Sequence, residues 1–286
     1  MENSKIILIN KEMNISSHKA IKKVQKEYGF KKIGHAGTLD PRATGLMIAM
    51  SDKATKLSDL LMKKDKIYKV ELELGYETDT LDLDGQIILK KEYQVPNLDE
   101  LKDILNKFFK GEIEQIPPMY SAIKINGNKL YNLARKNIQI DIPKRLVKIY
   151  DYSDIQINEN KISFIVNVSS GTYIRSLVRD IAYKLDTVAT MTYLERLSID
   201  KFKNPKDIEI IDVYDALDYK RLNLDLVQCE RLKNGLSIFI KKENIKENEK
   251  FHIFYENKYL GIADVISLNN GTIELKRNKF FGGIHE

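Results

Sequence analysis

The chain contains a single cysteine, Cys229, which excludes an internal disulfide framework and a cysteine-based zinc site. Its histidines, His18, His35, His252 and His285, stand far apart with no i,i+4 pair, which argues against a histidine metal centre. No apolar run approaches the ~20 residues of a membrane span; the stretch from Leu46 to Met50 is typical of the longest. Ile6 to Ile9 is too short for a signal-peptide core and is followed by charges with no small-residue cleavage site. Internal repeats and low-complexity segments are also missing. These absences point to a soluble, cytoplasmic protein.

What is present is a globular composition. The 286 residues are 43% hydrophobic and 31% charged, enough for a sizeable core and at most about two domains. Lys and Arg number 47 against 41 Asp and Glu, for a net charge of +6. That excess is local. Between Ser121 and Tyr150 stand Lys124, Lys129, Arg135, Lys136, Lys144, Arg145 and Lys148 against the lone acid Asp141, and the rest of the chain balances. A basic segment of this kind suits a polyanion such as RNA or DNA; a merely solvated lysine-rich surface is the plainer alternative.

Hydrophobic periodicity marks the elements. Residues 6–10 read as a short buried strand. A helix follows, with Ser16 or Ser17 as N-cap, Ala20, Ile21, Val24 and Tyr28 on one face, and Gly29 to end it. Residues 67–74 alternate, placing Tyr68 on the inward face with Val70, Leu72 and Leu74. Asn97 and Glu100 form a capping-box pattern ahead of the stripe Leu101, Ile104, Leu105 and Phe108. Residues 162–168 alternate again. Beyond Ser169 to Thr172 a helix turns Ile174, Leu177, Val178 and Ile181 inward. Strands and helices mix without a βαβ rhythm, so the expected class is α+β rather than a doubly wound parallel sheet. Short strands at 251–255, 259–265 and 272–275 suggest a small β-rich appendage beginning near residue 221, with a helical segment at 227–232.

The most unusual stretch is GHAGTLDPRATG, residues 34–45, which gathers three glycines around one carboxylate, Asp40, followed by Pro41. Glycine permits close backbone approach, and proline restricts the preceding residue to an extended conformation, so the carboxylate sits on a fixed loop. A turn in which Asp40 only bonds nearby amides is the alternative. The loop lacks the Gly-Lys-Ser/Thr of a phosphate-binding P-loop. The acidic run at 74–85 fails as a calcium loop, because aligning Asp82, Asp84 and Gly85 puts Lys91 at the bidentate-glutamate position. No nucleophile-elbow pattern marks a serine hydrolase.

GHAGTLDPRATG resembles the signature of the TruB-type tRNA pseudouridine-55 synthases. KIYKVELELGYETDTLDLDG (66–85), QIPPMYSAIKINGNKLYNLAR (115–135), SGTYIRSLVRDI (170–181) and LERL (194–197) resemble further blocks of that family in the same order. Similarity runs from about residue 6 to 202. Glu195 stands where the family commonly has arginine, and Ser169 and Asp200 also depart from its usual pattern.

The resemblance implies a pseudouridine synthase fold: a mixed, largely antiparallel sheet flanked by helices, with a catalytic cleft. It also implies a catalytic domain over 1–220 with a thumb-like basic insertion at about 115–148, and a PUA-like RNA-binding module over 221–286. Asp40 matches the catalytic aspartate, Arg175 the arginine paired with it, Tyr68 the aromatic that stacks on the target base, and Tyr173 the active-site tyrosine. Leu194 matches an apolar residue lining the uracil pocket, and His35 one that orders the flipped T-loop nucleotides. Arg196 is expected at backbone phosphate, with Lys124, Lys129 and Arg135 neutralising phosphates from the thumb. The reaction breaks the N1–ribose bond and rejoins the ring through C5, with Asp40 as nucleophile at ribose C1′ or at C6. It is redox-neutral and calls for no cofactor. A monomer acting on the T-arm of tRNA is the expectation. The rivals are a tRNA-folding chaperone of the same family and an unrelated hydrolase using Asp40 as base.

Overall fold

The computed structural model describes residues 4–282 apart from 122, 126, 135–137 and 139, and it does not describe the side chains of 124, 125, 128, 129 and 132. Its centre is a ten-stranded sheet. Along the main path the order is Glu209–Asp212, Lys5–Lys11, Thr44–Ser51, Ala189–Ile199, Lys66–Leu74, Lys161–Val168, Arg145–Asn158 and Gly111–Gln115. Ile33–His35 and Phe202–Lys203 pair off that path. Every pairing is antiparallel except that of Thr44–Ser51 with Ala189–Ile199. A second sheet of five strands, from Lys220–Asn223 to Thr272–Phe280, forms the C-terminal part. The class is α+β with a mixed, largely antiparallel main sheet, as expected.

Alternation along each strand sorts the core into two layers. Ile7, Ile9, Met47, Ala49, Val70 and Leu72 face the helices Ser17–Tyr28, Leu98–Ile104 and Ile174–Lys184. Ile6, Leu8, Leu46, Ile48 and Met50 face the other way, against Leu57 and Leu61 and against Phe254, Tyr259, Ile262 and Phe281 of the second sheet or its C-terminal flank. Double-sided cover explains why residues 6–9 are apolar without a break. Each large aliphatic side chain so buried contributes about 1.5–3 kcal/mol.

The helix caps follow the sequence. Ser16 accepts from the Lys19 amide, and Gly29 closes the first helix at φ 69°, donating its N–H to the Gln25 carbonyl. Asn97 and Glu100 complete a capping box. Two aromatic residues depart from expectation. Tyr28 is exposed and stacks on Phe30 instead of entering the core. Phe108 is also exposed, because Leu105–Phe109 winds as a π turn; the extra residue per turn rotates Phe109 inward and leaves Phe108 beneath the ammonium groups of Lys107 and Lys184.

Candidate active site

The loop that carries Asp40 is fixed from beneath. Ser17, at the start of the first helix, donates to the Leu39 carbonyl at 2.7 Å and accepts from the Leu39 amide at 2.8 Å. The Pro41 carbonyl accepts from the Asn14 amide and from Lys11 Nζ, both at 2.9 Å. The Ala43 amide closes a turn on the Asp40 carbonyl at 3.1 Å. Gly45 pairs with Arg196 at the parallel seam of the sheet with φ 99°, and a Cβ there would lie 2.4 Å from the Arg196 carbonyl oxygen. The glycine is required because two backbones meet at that point.

Arg175 sits in the first turn of the Ile174–Lys184 helix and is 7% exposed. Its Nη2 lies 3.0 Å from Asp40 Oδ2, and its Nη1 lies 3.5 Å from Asp82 Oδ2. The same guanidinium donates to the carbonyls of Thr80 at 2.9 Å and Tyr120 at 3.0 Å. Asp82 is held in turn by the Thr80 hydroxyl at 2.6 Å and the Asp84 amide at 3.0 Å. Two carboxylates therefore share one buried arginine.

Electrostatics at Asp40 is a balance of opposed effects. About 38% of its side chain is open to the cleft, yet protein surrounds the carboxyl closely enough that lost hydration is the largest influence on it. Burial raises its pKa above the ordinary 3.8; Arg175 pulls it down, Asp82 and Asp84 push it up, and Lys11 pulls it down, leaving a net rise. Arg175 favours the ionised form, but burial and the two neighbouring carboxylates outweigh it.

Asp40 and Arg175 line a cleft of about 690 Å³, together with Tyr68, Tyr173, Leu194, Tyr120 and Ser121 among others. Tyr68 projects from the Lys66–Leu74 strand and Leu194 from its neighbour Ala189–Ile199, so the sheet itself supplies one apolar wall. Tyr173 is the N-cap residue of the Arg175 helix. Gln115 grips its backbone with two hydrogen bonds, donating to the carbonyl at 3.1 Å and accepting from the amide at 2.8 Å. The result is an acidic nucleophile site with an aromatic and aliphatic wall, suited to a flat heterocycle. Among the described residues, no group of three or more His, Cys, Asp and Glu side chains is placed to share a metal ion.

The family model of the TruB family pseudouridylate synthase N-terminal domain matches residues 25–174. The chain belongs to the TruB family. The tRNA pseudouridine synthase B of Fusobacterium nucleatum is 40% identical over 283 residues, covering 92% of this chain and 96% of the relative. That of Clostridium tetani is 39% identical over 273 residues, covering 90% and 94%. Among solved structures, a Cbf5–Nop10–Gar1 complex superposes with a TM-score of 0.72 at 21% identity, covering 97% of this chain and 85% of the matched one. An H/ACA RNP bound to a substrate RNA containing 2′-deoxyuridine gives 0.70 at 19%, covering 98% and 85%. At that identity the two structures speak to the fold.

Within this TruB-family chain the remaining expected residues fall in different places. His35 ends the Ile33–His35 strand half-buried; its Nδ1 is buried without a partner among the described residues, and burial, Arg196 and His18 lower its pKa. Arg196 lines the same cleft. It is 1% exposed, and its guanidinium donates to the carbonyls of Leu46 at 2.6 Å and Gly37 at 3.3 Å, so it braces the Asp40 loop from within. Glu195 accepts from the Tyr193 hydroxyl at 2.8 Å. Lys124 and Lys129 lie on paired two-residue strands whose lysine side chains are not described, and Arg135 lies outside the described residues.

Motif reading missed three residues that the TruB fold brings to the site. Asp82 was weighed only as part of a calcium loop. Lys11, 1% exposed, donates to the carbonyls of Glu12, Ile15 and Pro41, each at 2.9 Å; burial lowers its pKa to about 8. Lys66, at the cleft wall, donates to the carbonyls of Met62 and Lys64, and burial likewise brings it to about 8. No sequence pattern distinguishes these lysines from surface ones. For Asp82 the repeated acids after Gly75 were the available signal.

Proposed function

We propose that this protein isomerises uridine 55 in the T-loop of tRNA to pseudouridine, with Asp40 as the nucleophile. The observation that carries the reading is the juxtaposition of Asp40 with Arg175 at 3.0 Å in a cleft walled by Tyr68, Tyr173 and Leu194, in a chain whose relatives are tRNA pseudouridine synthase B enzymes. A base inside an RNA loop must be flipped out to reach such a cleft. Tyr68 then offers a stacking face, an interaction worth about 1–3 kcal/mol per base. Attack at either C1′ or C6 needs an ionised carboxylate, and Arg175 holds that charge and its direction. Leu194 closes the dry side, so the detached uracil turns over and rejoins through C5 before water intervenes, the C5 proton being lost as N1 gains one, so that the product is an isomer. No electron or phosphoryl donor enters this balance.

Thumb lysines Lys124 and Lys129 with Arg135 supply phosphate contacts that position the RNA, while specificity comes from the folded shape of the T-loop. The C-terminal sheet, over 221–286, acts as an accessory RNA-binding module beside a catalytic unit over 1–220. The protein works as a cytoplasmic monomer. The test incubates an unmodified tRNA transcript with wild type and with Asp40→Ala, then maps pseudouridine chemically. Conversion at position 55 by wild type alone supports the reading. Tight binding without turnover by wild type would instead favour a folding chaperone.

A further inference from the structure

We propose that Arg42 binds a phosphodiester of the RNA strand at the mouth of the cleft, next to the nucleotide engaged by Asp40. The inference rests on the reading above that the substrate is RNA. It starts from the turn Asp40–Ala43, which the Ala43 amide closes and which Lys11 and Asn14 hold through the Pro41 carbonyl. Arg42 therefore projects from a fixed backbone two residues beyond Asp40. Its Nε contacts Asp84 Oδ1 at 2.5 Å, and the two side chains are 47% and 42% exposed. Its two terminal nitrogens make no hydrogen bond among the described residues.

The charge around this mouth gives the arginine its significance. Asp40, Asp82 and Asp84 face two guanidiniums, Arg175 and Arg42. Arg175 is buried and already committed to two carboxylates and two carbonyls, and Lys11 is buried on three carbonyls. Arg196 and Lys66, the other cations lining the cleft, are buried too, so among the described residues at this turn Arg42 is the exposed cation, beside the partly open carboxylates of Asp40 and Asp84. Attack geometry brings C1′ or C6 to about 3–3.5 Å from the Asp40 oxygen. That placement carries the nucleotide's flanking phosphates to the same turn. A guanidinium recognises phosphate with two parallel N–H donors, whereas an exposed arginine–aspartate pair contributes only about 0–1 kcal/mol. Asp84 is thus a resting partner that phosphate can displace.

The test measures kcat, KM and binding of a T-arm hairpin RNA across a salt series. For Arg42→Ala the expected loss is about 10- to 100-fold in affinity, the range of a charged hydrogen bond, read in KM rather than kcat. The slope of log affinity against log salt should flatten by about one. Arg42→Lys should restore the slope, and Asp84→Asn should leave KM at or below the wild-type value. A wild-type KM and slope for Arg42→Ala would overturn the proposal. So would a rise in KM for Asp84→Asn equal to that of Arg42→Ala, because the ion pair itself would then be what matters. Hairpin binding is read independently of turnover, so an inactive wild type would refute the isomerase reading without deciding the role of Arg42.

Discussion

Arg175 is bound at once by two carboxylates and two backbone carbonyls, so its shape matters as much as its charge. Arg175→Lys keeps the cation but loses the planar fork. A misplacement of about 1 Å at Asp40 is expected to lower kcat about 10²-fold, with less effect on KM; a single-turnover assay separates the two. The pH dependence follows from the raised pKa of Asp40. The reacting form is the anion, so activity falls as pH drops through a value above the ordinary 3.8. Asp82→Asn removes a like charge and should move the acid limb of kcat/KM to lower pH, whereas an unmoved or upward-shifted limb would contradict this balance. Lys11→Met leaves the Glu12 and Ile15 carbonyls without this donor and the Pro41 carbonyl with the Asn14 amide alone, and should cost about 1–3 kcal/mol, measured as a shift in denaturant midpoint.

At the scale of elements, the parallel contact between Thr44–Ser51 and Ala189–Ile199 brings the end of the Asp40 loop against Arg196. Gly45→Ala places a Cβ 2.4 Å from a backbone oxygen at a positive φ. Conformational strain and overpacking together predict a loss of about 2–6 kcal/mol, with activity lost alongside stability. A variant folding with wild-type thermal midpoint would show that the two strands can separate locally. Alternation correctly placed Tyr68 inward and buried, and motif spacing singled out Asp40. The π turn at Leu105–Phe109, which exchanges Phe108 for Phe109, has no signature in a 3.6-residue period.

Across the whole molecule, the second sheet and its flanking residues cover an apolar face of the first. Phe254, Tyr259, Ile262 and Phe281 cluster with Ile6, Leu8 and Leu46. Truncation after residue 220 exposes that face, and the shortened chain is expected to aggregate or melt well below the full-length protein. At this seam the His252 Nε2 lies 2.8 Å from the Leu217 carbonyl and its Nδ1 lies 3.1 Å from the Tyr259 hydroxyl. A carbonyl only accepts, so Nε2 carries the proton and Nδ1 accepts from tyrosine. Burial holds the pKa of His252 below its ordinary 6.5. Its contribution to stability is therefore full above 6.5 and declines as pH falls from there toward the lower folded value. Thermal midpoints against pH should show that decline, reduced in His252→Phe, with His35 supplying a remainder. Charge removal at Lys129, Arg135 and Lys136 should weaken tRNA binding and flatten its salt dependence; an unchanged slope would remove the basic segment from the interface.

The sequence by itself determined what depends on neighbours along the chain: caps at Ser16 and Asn97, alternation in the 66–74 and 161–168 strands, and the Gly-rich loop holding Asp40. It also determined the family, because several blocks keep their order and spacing. Tertiary structure decided whatever depends on segments meeting. It brought Asp82 to Arg175, turned Arg196 inward onto the Leu46 and Gly37 carbonyls, and buried Lys11 beneath Pro41. It also set the balance at Asp40, since a carboxyl's pKa depends on the water removed from it and on charges across the cleft. Neither quantity is written in the order of residues around Asp40. The site was built from aspartate, arginine and tyrosine on facing segments.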